Sequence, residues 1–423
     1  MDLIVQKGRL AGSIAVPGSK SHTIRAAAFA LMADGISKIH YPLISQDTLS
    51  AAGAVRAFGG TLDRGDDTCW CIRGTGGNLR DPGKTVDMAN SGTSIKIFAG
   101  LAALCSFPVT FDGDESLRSR PMGHLLSALS KLNVKTSSAN SKCPFTVQGP
   151  VTGNKTEVNS ESSQYVTALL MSLPFAGHNV SMDVVNLNEK PYIEITLGWM
   201  DTLGLRYTCT EDLSHFEIPG GQKIAPFEAT IPADFSTAAF PLIAAAVTQS
   251  ELTILNLDFK DRQGDKAVFS YLEKMGMEVI RGEKSTTLKP HGRLKGVDLD
   301  LNSTPDALPA IAVAAASAEG VTNIRNVAQA RIKETDRIAC MTAELRKMGI
   351  QVEEHPDGMT IRGGTLKGTA VESYKDHRIA MALAVAGLAA EGETVIHEAE
   401  CAGVTYPGFF ADFRKLGASF RQN

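Results

Sequence analysis

The feature that most constrains the fold of this chain is a short sequence pattern that recurs six times at nearly equal intervals. Each occurrence is the end of an amphipathic helical segment, closed by an apolar residue and then by Gly or Asn, with a strand-like stretch after it. The closing residues are Gly59, Asn133, Gly204, Gly276, Gly349 and Gly417, which are separated by 74, 71, 72, 73 and 68 residues. Glycine is the usual left-handed cap of a helix C-terminus and Asn is its commonest substitute, so the pattern predicts six helix ends at one period.

A second pattern repeats with the same period. A small or polar cluster opens an Ala-rich helical segment six times, beginning near Ser21, Ser91, Ser162, Ser236, Pro305 and Asp376. Two independent patterns with one period predict six units of similar length, each with two helices and several strands. Alternating helices and strands are typical of α/β architecture. A chain of 423 residues suits two domains, which places three units in each.

Composition and charge exclude several classes of protein. The formal net charge is −4, and no apolar run is long enough to cross a bilayer, so we expect neither a nucleic-acid-binding surface nor a membrane segment. The seven cysteines are scattered, without a C-x-x-C pair or the spacing of metal ligands. The residues after Met1 do not form a basic region followed by an apolar stretch. We therefore expect reduced thiols, no metal site and a cytoplasmic protein.

The polar clusters at the helix starts predict a site for anions. Free backbone N–H groups and the helix dipole favour an anion at a helix N-terminus. Nearby cations at these starts are Lys20, Arg25, Lys96, Lys333, Arg337 and Arg378. Taken singly, each start is also explained by a helix cap beside a solvated charge. Taken together, equivalent ends of repeated helices should point the same way, and two domains could direct them into one cleft for phosphate- and carboxylate-bearing ligands.

Two groups of acids could carry out chemistry in such a cleft. Asp306 opens an apolar helix that is predicted to run to about residue 318, and Glu334 and Asp336 lie between Lys333 and Arg337. Each acid also has a structural explanation, at a helix start or in a local ion pair. In a closed cationic cleft these carboxylates could exchange protons with a substrate. P-loop, dinucleotide, nucleophile-elbow and H-E-x-x-H patterns are missing, which argues against the common nucleotide, hydrolase and metalloprotease classes.

Short segments along the chain resemble the signatures of the EPSP synthase (3-phosphoshikimate 1-carboxyvinyltransferase) family. In the first half they are residues 16–25 (VPGSKSHTIR), 89–94 (ANSGTS), 113–122 (GDESLRSRPM), 162–165 (SSQY) and 190–192 (KPY). In the second half they are residues 305–306 (PD), 331–337 (RIKETDR) and 376–378 (DHR). Each segment alone is moderately specific, whereas the ordered set covers nearly the whole chain and is highly specific.

The resemblance implies a two-domain inside-out α/β barrel, with three βαβαββ units per domain and the active site in the cleft between the domains. By analogy the chain crosses between the domains near residues 16–18 and again near residues 229–234. The implied domains are residues 15–229 and residues 1–14 together with 230–423. No metal or organic cofactor is implied, the partners are two small anionic substrates, and a monomer is expected.

The resemblance also implies a reaction and a role for individual residues. The enolpyruvyl group of phosphoenolpyruvate is transferred to the 5-hydroxyl of shikimate 3-phosphate, giving 5-enolpyruvylshikimate 3-phosphate and phosphate in the shikimate pathway of aromatic amino-acid biosynthesis. Asp306 is then the base at the 5-hydroxyl, and Glu334 and Lys20 are proton-transfer partners. The implied contacts of shikimate 3-phosphate are Lys20, Ser21, Arg25, Ser162, Ser163, Gln164, Asp306, Gln329 and Lys333. The implied contacts of phosphoenolpyruvate are Lys20, Gly92, Arg120, Gln164, Arg337 and Arg378.

Three positions depart from the most familiar bacterial pattern of the family. Val404 stands where many members have Lys, Lys96 stands where Arg is usual, and Glu189 stands where a substrate-contacting Ser is often found. We expect these departures to affect the affinity for phosphoenolpyruvate and inhibition by its analogue glyphosate. Arg118 is interpreted as a structural or surface residue rather than as a ligand contact.

Three alternatives remain open. A sister enzyme that acts on UDP-N-acetylglucosamine shares the fold and the chemistry, but it usually has Lys-Asn where this chain has Lys20-Ser21, and it carries a loop cysteine that residues 112–121 lack. A non-catalytic anion-binding protein of the same fold is disfavoured because both Asp306 and Glu334 are present. A related enzyme acting on RNA ends is disfavoured by the acidic net charge.

Overall fold

The computed structural model describes residues 1–290 and 292–423. Within them the strands are β1 (Leu3–Gln6), β2 (Gly12–Ala15), β3 (Ile36–His40), β4 (Thr61–Asp63), β5 (Cys69–Arg73), β6 (Val86–Asp87), β7 (Val109–Asp112), β8 (Lys135–Ser138), β9 (Phe145–Gln148), β10 (Lys155–Asn159), β11 (Val180–Val185), β12 (Thr208–Cys209), β13 (His215–Ile218), β14 (Glu228–Thr230), β15 (Leu252–Leu255), β16 (Glu278–Arg281), β17 (Ser285–Lys289), β18 (Asp298–Asp300), β19 (Val321–Arg325), β20 (Gln351–His355), β21 (Gly358–Arg362), β22 (Ala370–Glu372), β23 (Glu393–His397) and β24 (Ser419–Gln422). The α-helices are α1 (Lys20–Met32), α2 (Gln46–Ala57), α3 (Gly92–Ala102), α4 (Glu115–Ser119), α5 (Gly123–Lys131), α6 (Ser163–Ser172), α7 (Lys190–Thr202), α8 (Phe235–Val247), α9 (Ala267–Lys274), α10 (Leu308–Ala316), α11 (Arg337–Lys347), α12 (His377–Ala389) and α13 (Phe409–Lys415). Short 3-10 helices are Leu173–Phe175, Gly264–Lys266, Pro305–Ala307, Ala328–Ile332 and Ala399–Val404.

The strands form six four-stranded sheets of one topology. In the sheet β6-β7-β9-β8, the first two strands are parallel, and β9 lies antiparallel between β7 and β8. The sheets β10-β11-β13-β12 and β18-β19-β21-β20 have the same order. A parallel pair needs a crossover connection, which the first helix of each repeat supplies. The predicted βαβαββ repeat is therefore confirmed.

The other three repeats take one strand from a distant part of the chain. The first strand of repeat 1 is β14, which pairs in parallel with β3. The first strand of repeat 4 is β2, which pairs in parallel with β15. In repeat 6, β1 lies between β23 and β24 and pairs antiparallel with both. The chain thus supplies two strands of its C-terminal repeats before repeat 1 begins.

The chain divides into an N-terminal unit, Gly18–Ile231, and a C-terminal unit, Met1–Pro17 with Pro232–Asn423. The predicted boundaries, after residues 14 and 229, differ from these by three and two residues. The reason is that pairing extends beyond the strands. The N–H and carbonyl of Val16 bond the Asn256 side chain at 3.2 and 2.9 Å, and the N–H of Ile231 donates to the His40 carbonyl at 2.9 Å.

The six predicted helix ends all have left-handed backbone. Their φ angles are +95° at Gly59, +62° at Asn133, +71° at Gly204, +98° at Gly276, +86° at Gly349 and +102° at Gly417. Each of these residues follows the last α-helix of its repeat, namely α2, α5, α7, α9, α11 or α13. The positive φ strains residues with a β-carbon, which explains why Gly occupies five of the six positions.

The first helix of each repeat is buried on nearly all sides. These inner helices are α1, α3 and α6 in the N-terminal unit and α8, α10 and α12 in the C-terminal unit. In the C-terminal unit the three inner helices contact one another. A helix that is apolar all round belongs in a core, and its Ala residues let neighbouring helices approach closely. Helices thus lie inside and sheets around them, which confirms the predicted fold class and gathers the first turns of the inner helices within each unit.

Two further predictions concern the thiols and the membrane. All seven cysteines are free thiols, as predicted, and burial raises the pKa of Cys105 and Cys401 to about 12. No helix among the described residues combines the length and the apolar character that a membrane crossing requires.

Candidate active site

The first inner helix, α1, begins at Lys20, and Ser19 is its N-cap. The Ser19 hydroxyl accepts the backbone N–H of His22 at 3.5 Å. Lys20 Nζ lies 3.1 Å from Oδ2 of Asp47, a buried carboxylate on α2. Ser21 follows in the first turn, and its carbonyl accepts a hydrogen bond from Arg25. Lys20 and Ser21 therefore lie at a helix start, where the sequence placed them.

Arg25 lies in the second turn of α1 and is 2% exposed. Its Nε donates to Thr196 Oγ1 at 2.9 Å, and its Nη1 and Nη2 donate to the carbonyls of Ser21 and Tyr192 at 2.9 and 3.0 Å. A longer bond of 3.3 Å reaches Thr167 Oγ1. These partners are neutral oxygens, and burial lowers the pKa of Arg25 to about 10. A buried cation with neutral partners is costly, and an anionic ligand would offset that cost.

The start of α3 packs against a guanidinium group. α3 begins at Gly92, where an added β-carbon would lie 2.7 Å from Arg120 Nη1. The missing side chain therefore lets Arg120 approach the helix start. Arg120 Nη2 also donates to Asn90 Oδ1 at 2.7 Å and to Ser116 Oγ at 3.1 Å. Gly92 and Arg120, both predicted contacts of phosphoenolpyruvate, are thus neighbours.

Gln164 links the starts of α3 and α6. Its Nε2 donates to Thr93 Oγ1 at 3.0 Å, and its Oε1 accepts from Lys96 Nζ at 2.8 Å. Lys96 Nζ also donates to the Gly92 carbonyl at 3.3 Å and lies 5.6 Å from the ring centroid of Tyr165. The cation of Lys96 is therefore fixed beside two predicted ligand contacts, Gly92 and Gln164.

The start of α6 is occupied by a carboxylate from within the chain. Ser162 is the N-cap, and its Oγ accepts the N–H of Gln164 at 3.4 Å. Ser163 donates its backbone N–H and its hydroxyl to Glu189 Oε2, at 3.1 and 2.7 Å. Glu189 is 1% exposed and has a φ of +54° just before α7. The departure from the family pattern at position 189 thus changes the surroundings of Ser163.

In the C-terminal unit, Arg337 is the centre of a cluster of charges. It is the first residue of α11 and is 1% exposed. Its Nη1 donates to Asp306 Oδ1 at 2.9 Å, its Nη2 to Glu334 Oε2 at 2.6 Å and its Nε to Asp376 Oδ2 at 2.8 Å. One guanidinium therefore makes charge-assisted hydrogen bonds to three carboxylates. Asp306 and Glu334, the two acids predicted to transfer protons, share this arginine.

Two further cations lie close to Asp306, which is in the 3-10 helix that precedes α10. Arg378 Nη2 lies 3.0 Å from Asp306 Oδ2 and donates to Ser236 Oγ at 3.0 Å. Lys333 Nζ lies 3.9 Å from Asp306 Oδ1. Of the residues predicted from the second half of the chain, Lys333, Arg337 and Arg378 thus surround the carboxylate of Asp306, and Glu334 contacts the same Arg337. Gln329 is the one that does not take part in these contacts.

The charges of this cluster stabilise one another. Burial by itself lowers the pKa of Arg337, but the carboxylates of Asp376, Glu334 and Asp306 outweigh that effect and raise it above the ordinary value. Burial opposes ionisation of Asp376, yet the Arg337 guanidinium holds the pKa of this carboxyl below its usual range. Asp376 is also the N-cap of α12 and accepts the N–H of Arg378 at 2.8 Å. Arg337 and Asp376 are therefore both charged at neutral pH.

The remaining residues singled out from the sequence have other contacts. Gln329, in the 3-10 helix before Lys333, donates from Nε2 to the Asn302 carbonyl at 2.9 Å. Val404 ends the 3-10 helix Ala399–Val404. Arg118 makes two hydrogen bonds to Asp112, at 2.8 and 2.6 Å, and its side chain is 55% exposed. The position of Arg118 agrees with its interpretation as a surface residue.

Several residues that organise these clusters were not predicted as site residues. They are Asp47 beside Lys20, Thr167 and Thr196 beside Arg25, and Asp376 beside Arg337. Only Asp376 had a signal in the sequence, as a polar residue at a helix start. Its partner Arg337 is 39 residues away in the chain, and this pairing depends on how α11 and α12 pack.

The fold and the charged residues define a class of protein. It is an α/β protein of six repeats with buried cations near its helix starts, and in the C-terminal unit these cations are paired with carboxylates. The chain matches the sequence profile of the family EPSP synthase (3-phosphoshikimate 1-carboxyvinyltransferase) over residues 4–413. A relative from Ruminiclostridium cellulolyticum, named 3-phosphoshikimate 1-carboxyvinyltransferase, is 45% identical over 419 residues, which cover 99% of each chain. The chain therefore belongs to the EPSP synthase family.

Solved structures agree with this assignment. EPSP synthase from Acinetobacter baumannii matches over the full length of both chains, with a TM-score of 0.82 and 26% identity. The enolpyruvyl transferase NikO from Streptomyces tendae matches 100% of this chain and 98% of its own, with a TM-score of 0.78 and 19% identity. The likeness to NikO concerns the fold alone.

Proposed function

We propose that this chain transfers the enolpyruvyl group of phosphoenolpyruvate to the 5-hydroxyl of shikimate 3-phosphate, giving 5-enolpyruvylshikimate 3-phosphate and phosphate. Membership of the EPSP synthase family supports this reaction. The observation that carries the proposal is the Arg337 cluster, in which two acids suited to proton transfer lie beside cations suited to anionic substrates. The reaction is acid–base chemistry between two small anions, and it requires both kinds of group.

The proposed role of the N-terminal unit is to bind the two substrates through their charged groups and their hydroxyl groups. Arg25, Ser21, Ser162, Ser163 and Gln164 are assigned to shikimate 3-phosphate, and Gly92 and Arg120 to phosphoenolpyruvate. Lys20 and Gln164 are assigned to both substrates. The support for Arg25 is its burial among neutral oxygens, because such a cation gains strongly from an anionic partner.

The proposed role of the C-terminal unit is proton transfer together with binding of phosphoenolpyruvate. Asp306 takes the proton of the 5-hydroxyl as the oxygen attacks C2 of phosphoenolpyruvate, while Glu334 and Lys20 deliver a proton to C3. Lys333 and Gln329 contact shikimate 3-phosphate, and Arg337 and Arg378 bind phosphoenolpyruvate. Short contacts of Asp306 with Arg337 and Arg378 support its role, because they fix both carboxylate oxygens.

The second half of the reaction returns the acids to their starting state. The bond between C2 and the phosphate oxygen breaks, C3 returns the proton that it gained, and the proton that Asp306 took from the 5-hydroxyl leaves with the phosphate. Cations around the departing phosphate stabilise its developing charge. The proposed reaction calls for no metal ion or organic cofactor, and we place the chain in the shikimate pathway, as a cytoplasmic monomer.

The test is release of phosphate from phosphoenolpyruvate by the purified chain, with and without shikimate 3-phosphate, in the presence of EDTA. Release that depends on shikimate 3-phosphate and persists in EDTA is the expected result. UDP-N-acetylglucosamine is assayed in parallel as the alternative acceptor. If release requires UDP-N-acetylglucosamine instead, or if neither acceptor supports any release of phosphate, the proposed function is wrong although the family assignment stands.

A further inference from the structure

The carboxylate of Glu189 lies where an anionic ligand would bind to the start of α6. The unpaired N–H groups at a helix N-terminus attract anions, and Ser163 is the first residue of this ten-residue helix. Its N–H and its hydroxyl both donate to Glu189 Oε2, at 3.1 and 2.7 Å. A phosphate oxygen that approached Ser163 would require the same two protons.

Glu189 is enclosed, so it is not free to swing aside like a surface side chain. It is 1% exposed, and its left-handed backbone leads directly into α7, which has a proline in its first turn and packs against α6. Pro191 fixes its own φ angle in the first turn of α7, two residues after Glu189. Glu189 is therefore a fixed part of the surroundings of Ser163.

We propose that Glu189 is a specificity-determining residue, which keeps the phosphate of the acceptor away from Ser163 and so weakens the binding of shikimate 3-phosphate. This inference rests on the function proposed above. Two negative groups that compete for the same donors repel each other, and the enclosed one keeps its place. The acceptor phosphate then depends on Ser162 and on the nearby cations rather than on Ser163.

The hydroxyl of Ser163 acquires a different chemistry from this contact. Its proton is donated to Glu189, so Ser163 Oγ presents lone pairs to any bound ligand and accepts hydrogen bonds. A neutral hydroxyl group on the acceptor can donate to Ser163, whereas a phosphate dianion cannot. Glu189 therefore lowers the ratio of kcat/KM for shikimate 3-phosphate to kcat/KM for unphosphorylated shikimate.

The first experiment compares Glu189→Ser and Glu189→Gln with the unchanged chain. We expect KM for shikimate 3-phosphate to fall about tenfold in both variants, because a repulsive charge is removed, with kcat changed less than about twofold. The preference in kcat/KM for shikimate 3-phosphate over shikimate should rise in parallel. A merely structural role would lower stability and leave KM unchanged or raised. Unchanged or raised KM in both variants would overturn the proposal.

The matched control is Glu161→Gln. Glu161 lies two residues before Ser163 and carries the same charge, but its side chain is 46% exposed and pairs with His124 at 3.3 Å. Its removal tests whether the loss of any negative charge near α6 is sufficient to lower KM for shikimate 3-phosphate. We expect KM for shikimate 3-phosphate to stay within about twofold, since an exposed charge is screened by water. An equal fall in KM in Glu161→Gln would contradict the specific role of Glu189.

The second experiment does not depend on the reaction. Inorganic phosphate is titrated into the free protein, and the rise in Tm is recorded for the unchanged chain and for the three variants. Both Glu189 variants should start from a lower Tm and gain more from phosphate, because the negative charge beside the Ser163 donors has been removed. Equal gains in all four proteins would refute the proposal even if the chain proved to use another acceptor, so the two proposals can fail separately.

Discussion

Arg25 and Arg337 are both almost completely buried, but the two units stabilise them in opposite ways. Arg25 in the N-terminal unit bonds to hydroxyl and carbonyl oxygens, and burial lowers its pKa to about 10. Arg337 in the C-terminal unit bonds to three carboxylates, which raise its pKa despite burial. One cation is therefore left to be compensated by a ligand, whereas the other is already compensated by the protein.

The difference teaches that burial of an arginine has no single meaning. The depressed pKa of Arg25 is a cost to folding at neutral pH, because the unfolded chain holds that proton more tightly than the folded one. An anion bound beside Arg25 recovers that cost. The acids around Arg337 instead serve two purposes, since they stabilise the cluster and are the groups proposed to move protons.

The largest expected effect comes from Asp306, the acid of the C-terminal cluster that three cations contact. Asp306→Asn keeps the size of the side chain but removes the base, so we expect kcat to fall by about 10²–10⁴-fold. KM for shikimate 3-phosphate should change far less, because its anionic groups are assigned mainly to the N-terminal unit. Steady-state kinetics of both substrates measure this.

The control for Asp306 is Asp336→Asn. Asp336 is the N-cap of α11 and pairs with Arg331 at 2.6 Å, and Asn retains the capping function. We expect its kcat to stay within about threefold of the unchanged chain. If Asp306→Asn retained full turnover, or if Asp336→Asn lost as much, Asp306 would not be the base.

The next effect compares the two arginines directly. Arg337→Met leaves three carboxylates around an uncharged side chain, so we expect a loss of about 3–5 kcal/mol in the free energy of unfolding. Arg25→Met removes an uncompensated cation, so its loss should be clearly smaller, at about 1 kcal/mol or less. Urea denaturation of both variants measures these values.

Binding of shikimate 3-phosphate should reverse which of the two variants loses more stability relative to the unchanged chain. The stabilisation that shikimate 3-phosphate gives to the unchanged chain should be largely absent in Arg25→Met, because the ligand no longer compensates a buried cation. Equal losses of stability in the two variants, or full stabilisation of Arg25→Met by the ligand, would break the distinction between the units.

The sequence predicted the repeats far better than it predicted the pairing of charges. The six left-handed caps, from Gly59 to Gly417, follow from a local rule, since φ at one residue decides which side chain it tolerates. The pairings of borrowed strands such as β1 and β14 were not predicted, because pairing between distant segments leaves no local pattern. The resemblance implied only that residues 1–14 belong with the C-terminal half of the chain. The site residues were likewise placed by motif, and their partners depended on packing.

Glu189 shows the limit of prediction most clearly. Position 189 was recognised as a departure from the family pattern, but the sequence does not predict which residues the carboxylate of Glu189 contacts. Only the packing of α7 against α6 directs it to Ser163. The same holds for Asp47, whose pairing with Lys20 joins two helices.

A smaller effect is expected from Asp376, one of the three carboxylates that compensate the charge of Arg337. The pKa of Asp376 is below its usual 3.8, so its ionised form stabilises the fold above about pH 4, and that stability is lost as the pH falls through the depressed pKa. Asp376→Asn keeps the N-cap but loses the charge, so we expect a cost of about 1.5–3 kcal/mol at pH 7.

The pH dependence is the sharper part of that test. The difference between Asp376→Asn and the unchanged chain should shrink below pH 3.8, because the carboxyl of the unfolded chain takes up a proton there while the native carboxyl stays ionised down to its lower pKa. Urea unfolding at pH 7, 5, 4 and 3 follows the difference. A constant difference over this range would show that shape rather than charge explains the effect of the variant.

The smallest expected effect concerns Arg118, an arginine of the N-terminal unit that is paired with a carboxylate, as Arg337 is, but in solvent. Its two hydrogen bonds to Asp112 are as short as those of Arg337, yet its side chain is 55% exposed. Water screens such a pair, so Arg118→Ala should cost less than about 1 kcal/mol and change kcat and KM by less than about twofold. Urea denaturation and steady-state kinetics measure both. A loss as large as that of Arg337→Met would mean that pairing with a carboxylate, and not burial, decides how much an arginine contributes to this fold.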